Sequence, residues 1–211
     1  MSSSSKEIPV TNYKAIIFDI GNVIFDISFD LVFDHIEKLT GKKAADIKAN
    51  FVFNEVFECF ERGHISPEEF LKEFNTQTQL NLSLEEFDAS WNAIYLDAFE
   101  GIDDLLIHLK KTYRVVALSN TNILHTNDWL IRYKNTVKHF EKIFASNEIG
   151  ARKPDREAFQ IVLNYLEMQP QEVIFIDDNF KNIQAADAMG IKTIHVKSYH
   201  QMKNDLNALL N

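Results

Sequence analysis

The sequence predicts an α/β fold: a parallel sheet covered by helices on both faces, interrupted by an all-helical insertion. Three observations predict it. Short apolar runs recur without polar alternation, as strands buried on both faces do. Amphipathic helical patterns separate them, and the stretch 28–97 breaks this rhythm with helical periodicity alone.

Taken in order, residues 1–12 are expected to form a disordered tail that includes Ser2 to Ser5; they lack the cationic region and apolar stretch of a secretion signal. Residues 14–18 (KAIIF) form the first apolar run, followed by Asp19 and Gly21. The insertion comes next, with helical spacing over 31–39, 52–60, 67–74 and 84–94 and no strand. Ser66 and Ser83 each precede acids that complement a helix dipole, and both read as N-caps. A helix is then expected over 101–111 (GIDDLLIHLKK), strands over 114–118 (RVVAL) and 142–145 (KIFA), and a helix over 155–166 entered through Pro154. Strands over 173–176 (VIFI) and 192–196 (KTIHV) complete the pattern. The core is thus 13–27 with 98–211, and the insertion is 28–97.

At 211 residues the chain can bury a full core. A hydrophobic share of 45% and a charged share of 25%, with no apolar stretch near the roughly 20 residues of a membrane span, predict a cytoplasmic protein without a membrane partner. A net charge of −9, from 22 Lys and Arg against 31 Asp and Glu, excludes a general nucleic-acid surface. An anionic small substrate would need local positive charge from a lysine, a helix N-terminus or a metal. Cys59, the single cysteine, sits among Val56, Phe57 and Phe60 and reads as a buried core thiol. Trp91 and Trp129 read as packing residues, and His125 as a packing or capping one.

Ligands of doubly wound sheets sit beyond the carboxyl ends of the strands. Four of the predicted ends carry polar groups: Asp19, Ser119 with Asn120, Arg152 with Lys153, and Asp177 with Asp178. Singly, each has an ordinary reading as a turn, a cap or a solvated surface group. Together, two carboxylate clusters, a hydroxyl and a lysine on one sheet edge are what phosphoryl transfer to a carboxylate requires. Asp19 and a phosphate dianion repel each other; a divalent cation held by the acids would permit approach, and Lys153 and Ser119 would steady the transferring oxygens.

The segments FDIGNVIFD (18–26), ALSNTN (117–122), ARKPD (151–155) and FIDDNFKNI (175–183) resemble, in order, the four motifs of the haloacid dehalogenase superfamily. The resemblance covers nearly the whole chain. DIGNV, SNTNILH (119–125) and ERGHIS (61–66) most resemble a bacterial subgroup that includes α-D-glucose-1-phosphate phosphatases. This resemblance implies a Rossmann-like core with a helical cap between the first and second motifs. It also implies a Mg²⁺-dependent phosphatase, a monomer or homodimer, acting on a small phosphorylated metabolite such as a sugar 1-phosphate. Position by position, Asp19 would attack phosphorus and form an aspartyl-phosphate, Ser119 and the backbone of Asn120 would bind phosphoryl oxygens, and Lys153 would pair with nucleophile and phosphate. Asp177 would bind Mg²⁺ directly and Asp178 through a water, with Asp19 and the Gly21 carbonyl completing the shell and Asn182 in support.

One position departs from the resemblance. Such phosphatases carry a second Asp two residues after the nucleophile to protonate the leaving group; here that position is Gly21, followed by Asn22, whose amide cannot exchange protons near neutral pH. A general acid contributes about 10²–10⁴-fold in rate, so substrates with an easier leaving group, such as a sugar phosphorylated on its anomeric carbon, are expected to be favoured. Two alternatives stay open. One is a metal-free haloacid dehalogenase, although Asp177 and Asp178 would repel its carboxylate substrate; the other is a non-catalytic phospho-accepting or scaffold protein. In the insertion, Phe51, Phe53, Phe57, Phe60 and Phe70 are expected to pack helices, and Arg62 and His64 to lie in a solvated loop.

Overall fold

The computed structural model describes residues 13–210, so the tail expected over 1–12 lies outside the described residues. Strand β1 (Ala15–Phe18) leads through a short strand β2 (Phe25–Ile27) into helices α1 (Phe29–Thr40), α2 (Ala44–Asn50), α3 (Glu55–Glu61), α4 (Pro67–Thr78) and α5 (Leu84–Trp91). Strand β3 (Tyr95–Ala98) returns the chain to α6 (Ile102–Leu109), β4 (Arg114–Ser119), α7 (Ile123–Arg132) and α8 (Lys134–Val137). There follow β5 (Ile143–Ala145), α9 (Ser146–Ile149), α10 (Arg156–Leu166), β6 (Val173–Asp177), α11 (Phe180–Ala188), β7 (Lys192–His195) and α12 (Tyr199–Leu210).

Five strands form one sheet in the order β5-β4-β1-β6-β7, every neighbouring pair parallel. Central β1 sets Phe18 opposite Ala117 of β4 and Ile176 of β6, and this register brings the carboxyl ends of the three strands side by side. Alternate residues of β1 face opposite ways. Ile16 and Phe18 join a core with Leu106, Trp129 and Leu206, and Ile17 joins one with Leu118, Phe159 and Phe175. Burial on both faces is why β1 and β6 read as unbroken apolar runs.

The helices α1 to α5 share a third apolar cluster that includes Phe33, Phe60, Phe70, Phe74, Phe87 and Trp91. Ser66 and Ser83 close capping boxes, their hydroxyls accepting from the N–H groups of Glu69 at 3.2 Å and Glu86 at 3.3 Å. Three details differ from expectation. The helical spacing over 52–60 becomes a helix only at Glu55, behind an Asn54 cap that accepts from the Phe57 N–H. The stretch 28–97 is not free of strand, because β3 begins at Tyr95 and pairs antiparallel with β2; both are too short and too exposed to display a period of two. Cys59 is half-buried rather than buried, because the buried side of α3 is formed by Phe57, Phe60 and Glu61. Trp91 and Trp129 are buried, and the His125 ring stacks on Trp91 with centroids 5.4 Å apart. Among the described residues no helix is long and apolar enough to cross a membrane.

Candidate active site

The four polar strand ends border or underlie one cavity of about 250 Å³. Asp19 follows β1, where its N–H donates to the Ile176 carbonyl at 2.8 Å. Lys153, 1% exposed, reaches under it: Nζ lies 2.7 Å from Asp19 Oδ1 and 2.7 Å from Asp177 Oδ2. Burial pulls the Lys153 ammonium down, and Asp177 and Asp19 more than reverse the effect, so the lysine stays charged. Its segment is clamped by the Asn120 carboxamide, which accepts from the Lys153 N–H at 2.8 Å and donates to the Lys153 carbonyl at 2.7 Å. The side chain of Asn120 therefore positions the lysine, a role the sequence did not reveal. Nor does any local signal mark Ser146, whose hydroxyl accepts from the Thr121 N–H at 2.8 Å and donates to the Thr121 carbonyl at 2.9 Å, shaping the loop after Ser119.

The paired acids sit differently. Asp177 has no exposed surface, and its oxygens accept from Lys153, from Asn182 Nδ2 at 3.0 and 3.1 Å and from the Asn179 N–H at 2.7 Å. Asp178 is half-buried, borders the cavity and accepts from Asn22 Nδ2 at 3.0 Å. Asn22 has φ 57°, a left-handed conformation that Asn tolerates better than most residues, and its Oδ1 accepts from the Ile27 N–H. It ties the first loop to the end of β6.

Carboxylate oxygens of Asp19, Asp177 and Asp178 lie within 4.8 Å of one another. Burial pushes the Asp19 carboxyl up to about 7, with Lys153 opposing the shift and Asp177 and Asp178 adding to it. Burial raises Asp178 as well. Three carboxylates around one ammonium leave uncompensated negative charge, and an all-oxygen donor set suits a hard divalent cation such as Mg²⁺. The residues present thus fit the ion. Gly21 also borders the cavity, and a Cβ built on it would meet Ile27 Cδ1 at 2.9 Å, so an apolar group fills the direction a side chain there would take.

The insertion supplies the facing wall. Phe57 is buried there, but Phe53 is 54% exposed, edge-on to Phe57 and Phe29 at centroid distances of 4.8 and 5.1 Å. Phe53 escapes the helix core because α3 starts two residues later. Arg62 does not lie in a solvated loop: it pairs with Glu58 at 3.1 Å and reaches Asp155 of the core at 2.7 Å, whereas His64 is exposed. Gly63 has φ +67°, and a Cβ there would stand 2.3 Å from the Asn147 carbonyl oxygen, so the loop after α3 approaches α9 as only glycine can.

Glu61, the last residue of α3, is 7% exposed and places Oε2 at 2.7 Å from Nη2 and 2.8 Å from Nε of Arg152. Burial pushes its carboxyl from 4.5 up to about 7, against the pull of Arg152. A carboxyl that keeps its proton longer when folded makes stability fall as pH rises between the two values, and level off above them. Glu61→Gln is expected to remove its share of that slope in urea unfolding of metal-free protein between about pH 4.5 and pH 8; an unchanged slope would contradict the raised value.

The sequence profile of the haloacid dehalogenase-like hydrolase family matches residues 13–190. A D-ribitol-5-phosphate phosphatase of Bacteroides thetaiotaomicron is 28% identical over 208 residues, covering 94% of this chain and 98% of the relative. A sesquiterpene phosphatase of Aspergillus oryzae is 31% identical over 189 residues, covering 88% and 91%. The crystal structure of a HAD family enzyme from Bacteroides thetaiotaomicron, in complex with magnesium and inorganic phosphate, superposes with a TM-score of 0.76 at 28% identity, covering 88% of this chain and 95% of that one.

Proposed function

The chain belongs to the haloacid dehalogenase-like hydrolase family and is a phosphoric monoester hydrolase, and we propose that it releases phosphate from a small phosphorylated metabolite through an aspartyl-phosphate on Asp19. The observation that carries this reading is Lys153 Nζ at 2.7 Å from both Asp19 and Asp177, beneath a cavity that Asp178 and Ser119 border. Asp19 presents an oxygen to phosphorus. Lys153 balances the charge that builds on nucleophile and phosphate, while the Ser119 hydroxyl and the Asn120 backbone N–H donate to phosphoryl oxygens. Mg²⁺, when bound, offsets the repulsion between Asp19 and a phosphate dianion.

We assign the metal to Asp19, the Gly21 carbonyl and Asp178, with Asp177 and Asn182 in support. This reverses the order expected for the acid pair, because the oxygens of Asp177 are already taken by Lys153, Asn182 and Asn179 while Asp178 borders the cavity. The insertion 28–97 acts as a cap over the core 13–27 and 98–211, selecting substrate and excluding water. The protein works in the cytoplasm as a monomer or homodimer.

Sugar 1-phosphates are the finer substrate reading, supported by Gly21: a hemiacetal oxygen leaves with less help than an alkoxide. A screen of sugar, polyol, nucleotide and amino-acid phosphates, with and without Mg²⁺, tests both levels. Expected is Mg²⁺-dependent phosphate release that is lost in Asp19→Asn and is faster on anomeric than on alkyl phosphates. Equal rates on the two would sink the 1-phosphate preference alone. Chloride release from a 2-haloacid in EDTA would replace phosphatase by dehalogenase, and a stable phosphoryl-Asp19 with negligible phosphate release would make the protein a phospho-acceptor.

A further inference from the structure

Gly21 carries no carboxyl and Ile27 fills the space beside it, so this position next to Asp19 offers no proton donor for the leaving group. We propose that Glu61, carried to the cavity by α3 of the insertion, is the general acid that protonates the leaving oxygen and then the base that activates water. The assignment rests on the phosphatase reading above.

The other candidates around the cavity are committed or unsuited. Asp19 is the nucleophile and Asp178 faces the cation. Arg152 and Lys153 are cations held by carboxylates. His125 Nδ1 lies 3.1 Å from Asn92 Oδ1, and burial pulls that imidazole down to about 3, so it carries no extra proton at neutral pH. Burial raises the Tyr95 phenol well above its ordinary range. The amides and the Ser119 and Thr121 hydroxyls do not titrate near neutrality.

Glu61 is the one charged residue that the insertion places on the cavity wall. It stands one helical turn after Phe57, on the same face, and both border the cavity. Arg152 engages Oε2, which holds the carboxyl in place at the cavity wall. The charged groups facing it are Arg152 and Lys153, which favour the carboxylate, and Glu58, which opposes it. Burial outweighs them and holds the group near 7, where an acid–base catalyst works best at neutral pH.

The protons balance. As an Asp19 oxygen bonds to phosphorus, the bond from phosphorus to the leaving oxygen breaks and the Glu61 proton passes to that oxygen, giving an alcohol and a carboxylate. The carboxylate then takes a proton from water as the water oxygen attacks phosphorus. The Asp19–phosphorus bond breaks, and phosphate departs with Asp19 and Glu61 restored. Because the acid belongs to the insertion, proton transfer requires the insertion to sit against the core, where Arg152 and Asp155 hold Glu58, Glu61 and Arg62.

Glu61→Gln, assayed with Mg²⁺ on a simple alkyl phosphate and on 4-nitrophenyl phosphate, tests this, because nitrophenolate leaves without a proton. The kcat/KM for the alkyl phosphate is expected to fall about 10²–10⁴-fold, and that for 4-nitrophenyl phosphate by less than about threefold, with anomeric phosphates between them. Turnover of 4-nitrophenyl phosphate should then show a burst as phosphoenzyme accumulates. In the unsubstituted enzyme, kcat/KM for the alkyl phosphate should decline above a pH of about 7, and that for 4-nitrophenyl phosphate should not; this second readout stands even if the variant fails to fold. Equal losses on both substrates, no loss on either, or identical pH limbs would overturn the role of Glu61. Absence of any Asp19-dependent phosphate release from the unsubstituted enzyme would instead overturn the phosphatase reading.

Discussion

Asp19→Asn is expected to lower kcat by roughly 10⁴-fold or more and to abolish covalent phosphate incorporation, as removal of the group proposed to form the intermediate should. The amide matches the carboxylate in shape but is a poor nucleophile. Lys153 loses one anionic partner and keeps Asp177 at 2.7 Å, so its charge remains paired and the fold should persist. The measurement is single-turnover phosphate release beside acid-quenched phosphoprotein, with circular dichroism to verify folding. A variant of undiminished activity would remove Asp19 from the chemistry.

Lys153→Met is expected to have the second large effect, on stability as well as on rate. Methionine fills a comparable volume but leaves Asp19 and Asp177 buried without their shared counter-charge. Removing one member of a buried ion-pair group costs about 3–5 kcal/mol. That loss should be largest in EDTA at neutral pH. It should shrink on acidification, because Asp19, already raised by burial, then takes up a proton more readily, and it should shrink with Mg²⁺, which binds only the folded site. The rate should drop by about 10²–10³-fold even with the metal present, which is the loss expected from the role proposed for the lysine, stabilising charge on the transferring group. Urea unfolding in EDTA and in Mg²⁺ reads the first effect and steady-state turnover the second. A variant as stable as the parent in EDTA would show that the two carboxylates do not need this lysine.

Much of the architecture was legible in the sequence because its signals are local. A strand covered on both faces must be apolar at successive positions, and this made β1, β4, β5 and β6 visible; the Ser66 and Ser83 caps carry their partners three residues away. The ribbon of β2 and β3 was hidden, since strands this short take their conformation from each other across nearly seventy intervening residues. The start of α3 is hard to read for a related reason: Phe51 and Phe53 continue the helical spacing, but the Asn54 cap sets where hydrogen bonding begins.

Which groups stand at the strand ends, Asp19, Lys153 and the acid pair Asp177 and Asp178 among them, is written in the local sequence, because each directly follows an apolar run or its loop. Strand order and register, which come from long-range pairing, decided that these ends converge. How these groups are disposed around the cavity depends on packing that no local signal carries. Asp177 and Asp178 are chemically identical neighbours, yet successive residues at a strand end point to opposite sides, so one is enclosed by Lys153 and Asn182 while the other borders the cavity. In the same way nothing local to Glu61 separates it from Glu58, the acid less than one turn earlier. Packing of α3 against the core buries one and leaves the other partly exposed, and desolvation, a property of the assembled fold, is what raises a carboxyl toward neutrality.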